Sequence, residues 1–153
     1  MEALKLKFPP AAQVVFYTLI IWLFNEYYPL LTVTFPSNAL IATLFMGVGI
    51  VIIVLGGVAF RKAKTTVDPR YPNNSTALVV IGVYQYTRNP MYVGMLLSLM
   101  GVVVYLGNLS GLFIIPIFIW TMNELQIKWE EQALLEKFGE PYREYMVTVR
   151  RWL

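Results

Sequence analysis

Two short stretches gather side chains able to do polar chemistry in an otherwise apolar chain. One is RNPMYVG, from Arg88 to Gly94; the other is EEQALLEKFG, opening at Glu130. The sequence has no His, which removes the commonest general base and metal ligand. It has no Cys, which removes disulfides and thiolates. Carboxylates, tyrosines, amides and Arg or Lys remain, and no metal site is expected. Asn89 before Pro90 reads as a helix start, with Asn89 as cap and Pro90 in the first helical position. Such an end presents unpaired N–H groups and the positive end of the helix dipole, a site for a carboxylate or phosphate. Downstream, Gln126, Glu130, Leu134 and Phe138 are spaced four apart and share one helical face. A helix end beside a carboxylate suits a zwitterion. An ordinary helix start and a solvated acidic face account for the same residues, and spacing alone does not separate the two.

The elements that position these residues read as membrane spans. The chain has 153 residues, enough for one domain. It is 58% hydrophobic and 14% charged, against about 25% charged in soluble chains. Four apolar segments are expected at about 11–33, 38–60, 91–106 and 109–127. No charged residue occurs from Asn89 to Asn123, far more than the ~20 residues of one crossing. GNLSG, from Gly107 to Gly111, is a turn signal within it, so the last two spans form a tight hairpin. Each arm is short for a full crossing, and the second is expected to continue as a helix beyond the membrane. Small residues Gly94, Ser98 and Gly101 line one face of the third span, suiting close helix packing or a subunit contact.

The net charge of +3 could suggest nucleic acid, but its placement argues for topology instead. Lys5 and Lys7 precede the first span. Arg61, Lys62, Lys64, Arg70 and Arg88 lie between the second and third. Lys128, Lys137, Arg143, Arg150 and Arg151 follow the fourth. All twelve basic residues thus fall on one side of a four-span arrangement. The positive-inside rule then puts both termini and the loop 61–90 in the cytoplasm, as in a prokaryotic inner membrane. The N-terminal segment lacks a small-residue cleavage signal and reads as an uncleaved anchor. The loop holds Pro69 and Pro72 but also Tyr71, Leu78, Val79, Tyr84 and Tyr86, a composition that argues for order. The segment 128–153 is expected to form cytoplasmic helices. The first ends at Gly139; the second carries Tyr142, Tyr145, Met146 and Val149 on one apolar stripe.

TALVVIGVYQYTRNPMYVG (Thr76 to Gly94) and EEQALLEKFGEPYREYMVTVRRWL (Glu130 to Leu153), joined by a hairpin, resemble the isoprenylcysteine carboxyl methyltransferase and phospholipid methyltransferase superfamily. The resemblance covers about the C-terminal half of the chain; the first two spans match only in kind. It implies an all-α integral membrane methyltransferase using S-adenosylmethionine, whose amino-acid end is a zwitterion. It implies cofactor contacts from Thr76, Ala77, Leu78, Val79, Tyr84, Asn89, Pro90, Met91 and Tyr92, with Glu130 on the cofactor's amino group. The reacting centre is expected near Arg88, Tyr92 and Glu130. The acceptor is expected to be a membrane lipid or a lipidated molecule, entering from the bilayer.

Two positions depart from the family's pattern. Prenylcysteine enzymes have His where this chain has Asn89, and Asn retains a hydrogen-bond donor. They also carry Arg at the position of Gln126, and Gln cannot form a bidentate, charge-assisted pair with a carboxylate. Gln126 and Glu124 would suit an amine or neutral acceptor. Two alternatives stand beside this reading: a reductase resembling the sterol reductases and using NADPH, and a membrane scaffold without catalysis.

Overall fold

The computed structural model describes residues 9–33, 36–65 and 75–153. Lys5, Lys7, Pro69, Arg70, Tyr71 and Pro72 lie outside them. The described chain is all-helical, apart from one isolated β-bridge between Thr32 and Asn108.

Helix α1 spans Pro10–Tyr27, with Pro10 in the first turn. The first span was expected to reach Val33, but the helix stops before Pro29. Proline has no N–H and disfavours helical backbone in the residue before it. The chain beyond is extended and clasps the tip of the later hairpin. Val33 N–H donates to the Gly107 carbonyl at 2.7 Å, and Leu109 N–H to that of Leu31 at 3.0 Å.

Helix α2, Asn38–Lys62, has 25 residues and ends on Arg61 and Lys62. At 1.5 Å per residue it is about 37 Å long, more than the ~30 Å of a bilayer's hydrocarbon. Its most apolar window is only 17% buried. Leu40, Leu44, Ile50 and Val54 all face outward. Water would penalise so continuous an apolar face, and lipid would not.

Helix α3, Pro90–Leu106, ends at Gly107, whose φ of 64° gives the left-handed cap that glycine adopts without strain. Asn108 then accepts from Ser110 N–H at 3.0 Å and from its hydroxyl at 2.8 Å, fixing the turn. The second arm is one continuous helical rod, Leu109–Phe138. It starts as a 3-10 turn, becomes α4 (Ile114–Met122), passes through a π-turn (Asn123–Ile127) and emerges as α5 (Lys128–Phe138). This rod and α2 are long and apolar enough to cross a membrane, and α3 is a shorter apolar helix. Helix α6, Glu140–Thr148, follows Gly139.

Small residues let α2 and α3 touch along their backbones. A Cβ on Gly49 would lie 2.5 Å from the Gly94 carbonyl and 2.8 Å from Ser98 Oγ; one on Gly101 would lie 2.6 Å from Met46 Cγ. The Gly94/Ser98/Gly101 face is therefore filled by α2 of the same chain, which leaves no room there for a second subunit. On the opposite side of α3, Leu99 and Val103 pack with Tyr17 and Ile21 of α1 and with Ile114, Phe118 and Met122 of α4. The Tyr17 ring meets Phe118 edge-on at 5.5 Å, and its hydroxyl bonds Thr121 Oγ1 at 2.9 Å.

Candidate functional site

The start of α3, the π-turn and α5 bring the two polar stretches together. Pro90 occupies the first helical position, as expected. Asn89 does not cap the helix with its side chain. Its Nδ2 instead donates to the Arg151 carbonyl at 2.8 Å. The C-terminal segment lies alongside the turn and draws the amide away from the helix end.

One turn into α3, Tyr92 points at α5 and donates its hydroxyl proton to Glu130 Oε1 at 2.5 Å. Gln126 Nε2 donates to the same oxygen at 2.6 Å. Tyr92 and Gln126 are buried and Glu130 is half-buried. The other carboxylate oxygen, Oε2, takes no bond from any described residue, and no described cation pairs with Glu130. A carboxylate with two neutral donors on one oxygen and its other oxygen free fits an incoming ammonium group. The π-turn matters here. It adds one residue to a helical turn, and such turns recur at functional sites because they re-aim side chains. Gln126 lies in this turn, four residues before Glu130, and meets it on the face that also meets Tyr92.

Glu131 has a different neighbourhood. Its Oε1 accepts from Arg88 Nη2 at 2.7 Å and its Oε2 from Arg151 Nη2 at 2.5 Å. The side chains of Arg88 and Glu131 are each only 9% exposed. Arg88 Nη1 also donates to the carbonyls of Met146 and Val149, at 2.7 and 2.9 Å. The guanidinium of Arg88 thus faces Glu131 and the C-terminal segment, and it makes no bond to Glu130. Glu124 pairs with Lys128 at the surface, and no bond joins it to Gln126 or Glu130.

Three buried tyrosines enclose the site from the loop and α6. Tyr84 sits in a 3-10 turn, Gly82–Gln85, entered through Gly82 at φ 62°. Its ring meets Phe60 edge-on at 5.4 Å, and its carbonyl accepts from Tyr145 Oη at 2.6 Å. Burial raises the Tyr84 phenol above its ordinary value, and the neighbouring Tyr145 and Glu130 raise it further. Burial likewise raises Tyr142, where Glu131 adds to the effect, and Tyr145. All three stay neutral hydroxyls at ordinary pH.

The strip before Tyr84 is anchored at its start. Thr76 N–H donates to Thr65 Oγ1 at 2.7 Å, and Thr76 Oγ1 to the Lys64 carbonyl at 3.1 Å. Thr76 is exposed, Ala77 and Leu78 are half-buried, and Val79 is buried with Ala59 and Tyr84. Met91 packs over Gly56. The fold therefore joins Tyr92, Gln126 and Glu130 directly, with Asn89 and Pro90 one turn away. Thr76 to Val79 form a separate edge, reached through Tyr84. The C-terminal network around Glu131 and Arg151 was not anticipated. Its only trace in the sequence is a pair of arginines at the end of an amphipathic stretch.

Comparison with known proteins agrees with the motifs. Residues 37–141, more than half of the chain, match the phospholipid methyltransferase family. The chain belongs to that family. It is 33% identical over 77 residues to a protein-S-isoprenylcysteine O-methyltransferase of Schizosaccharomyces pombe, covering 50% of this chain and 33% of that protein. It is 30% identical over 108 residues to protein-S-isoprenylcysteine O-methyltransferase B of Arabidopsis thaliana, covering 66% and 55%. An uncharacterized protein of Haemophilus influenzae is 44% identical over 63 residues, 41% of this chain and 100% of its own length. The matches span 33% and 55% of the length of these two named methyltransferases. No solved structure matches.

Proposed function

We propose that the chain is an integral membrane methyltransferase that uses S-adenosylmethionine to methylate a lipid or lipidated acceptor at the cytoplasmic face of a prokaryotic inner membrane. The whole chain forms one domain with four membrane-crossing segments, and both termini are cytoplasmic. Family membership supports the class of reaction. The observation that carries the assignment to a site is Glu130, a recessed carboxylate with one oxygen free and no cation beside it among the described residues.

In this reading Glu130 Oε2 takes the cofactor's ammonium group, while Tyr92 and Gln126 hold the carboxylate in place. The first turn of α3, behind Asn89 and Pro90, faces the cofactor's carboxylate with backbone N–H groups. Thr76, Ala77, Leu78, Val79, Tyr84 and Met91 line the remainder. The bound cofactor supplies a methyl group already activated on a sulfonium. The chain's contribution is then to hold donor and acceptor in line. Arg88 acts through Glu131, by fixing the turn that starts α3. Gln126 serves Glu130, and Glu124 with Lys128 meets the acceptor's polar end where the rod leaves the membrane.

The test is calorimetric titration of the detergent-purified chain with S-adenosylhomocysteine, with Glu130→Gln as the comparison. Micromolar binding that the substitution weakens by roughly 10- to 150-fold is the expected result. Absence of binding to a folded wild-type chain would overturn the reading.

A further inference from the structure

The two adjacent carboxylates have separate tasks, and the second is unassigned. Glu130 faces α3 and the proposed ligand site. Glu131, one residue on, faces away and joins two arginines from distant parts of the chain: Arg88, before α3, and Arg151, beyond α6. The contact zone between those segments is extensive. Arg88 N–H donates to the Arg150 carbonyl at 2.9 Å. Thr87 Oγ1 and Asn89 Nδ2 both donate to the Arg151 carbonyl. Trp152 Nε1 reaches Asn123 Oδ1 in the π-turn at 3.1 Å. Earlier in the same arm, the Tyr145 hydroxyl is bonded to the Tyr84 carbonyl. The arm 140–152 therefore touches the loop turn, the start of α3 and the π-turn, three of the elements that surround Glu130.

We propose that Glu131 is a positioning residue that latches the C-terminal arm over the Glu130 site through Arg88 and Arg151, so that ligand retention at Glu130 depends on the latch. This rests on the proposed function of that site. The asymmetry of the triad suggests how it opens. Arg88 and Glu131 are deeply buried, whereas the Arg151 side chain is 33% exposed. Arg151 is the member that can leave into water at least cost, while a buried charge stripped of its partner is penalised heavily. Release of the Arg151 side chain would loosen the segment 149–152, leaving it held by its backbone carbonyls and Trp152, and leave Arg88 bound to Glu131.

Removing the Glu131 charge would strand two arginines and could unfold the chain, so the main variant is Arg151→Gln. Arg151→Lys restores the charge without the two-pronged grip. Arg143→Ala, which breaks an exposed pair with Glu140 on the same arm, is the control. Two readouts are taken on the full-length chain in detergent: amide hydrogen exchange over 87–89 and 146–152, and affinity for S-adenosylhomocysteine. Arg151→Gln is expected to speed exchange in both segments while α2 and α3 stay protected. It should also weaken affinity by about tenfold, the size of one charged hydrogen bond. Arg151→Lys should fall between, and Arg143→Ala should match wild type. Unchanged exchange in Arg151→Gln would show that the triad does not hold the arm. Faster exchange with unchanged affinity would show that the arm does not govern the site. Either result overturns the proposal. If the wild-type chain binds no S-adenosylhomocysteine, the function proposed above fails and the coupling fails with it, while the exchange data still report whether the triad secures the arm.

Discussion

At the scale of single residues, Glu130 is set apart by what it lacks. Its neighbour Glu131 is fully compensated by two guanidinium groups; Glu130 has two neutral donors and an open oxygen. Exchanging Glu130 for Gln should cost roughly 1.5–3 kcal/mol of S-adenosylhomocysteine affinity, the usual worth of a hydrogen bond to a charged group. Titration calorimetry reads this directly, and equal affinity would remove Glu130 from the site. Gln126 yields a second expectation. Its amide is spent on Glu130, so Gln126→Arg would place a cation against that carboxylate and occupy the charge intended for the ligand. Affinity for S-adenosylhomocysteine should fall in this variant; a shift in acceptor preference with cofactor affinity intact would return Gln126 to the acceptor. Much of this was legible beforehand. The i, i+4 spacing put Gln126 and Glu130 on one face, and Pro90 marked the start of α3. The role of Asn89 was not legible, because its partner is a backbone carbonyl 62 residues later, and no local pattern encodes such a contact.

At the scale of elements, the pairing of α2 with α3 depends on glycine. A methyl group at Gly94 would press into the Gly49 backbone, and one at Gly49 would meet the Gly94 carbonyl. Neither obstacle is the flexible end of a side chain, so the helices must separate to relieve it. Gly94→Ala should therefore destabilise the chain by about 1–3 kcal/mol, the usual cost of overpacking. Thermal denaturation in detergent tests this, and an unchanged midpoint would mean that the helices do not approach so closely. Uncharged runs and turn residues delimit α2, α3 and the far arm of the hairpin sharply in the sequence. The first helix was overextended by six residues' worth of apolar sequence, through Val33, although Pro29 carried the signal to stop. The π-turn had no visible signal: a single extra residue within a helical turn leaves the hydrophobic pattern almost unchanged.

For the whole molecule, the proposed topology makes a clean prediction because the sequence has no cysteine background. Single cysteines at exposed Leu109 and Glu144 should report opposite faces. A membrane-impermeant maleimide added to intact cells should label the first and spare the second. External labelling at Glu144 would reverse the orientation. The apolar exterior of α2 and the low charge content make the membrane setting readable from composition. How residues 84–89 meet the C-terminal arm is not legible from composition, since those contacts are long-range and mostly made by backbone carbonyls.

The clasp between residues 31–33 and 107–109 has a consequence for biosynthesis. Val33 leaves the ribosome about 75 residues before Gly107, an interval of roughly 4 to 15 s at 5–20 residues per second. For that time the backbone groups of the first turn have no partner, and α1 is tethered to nothing that follows α2. Completion of the hairpin then brings α3 and α4 against α1. A nascent chain stalled before Gly107 would carry this exposed turn unfastened, without the two backbone bonds that hold it in the finished protein.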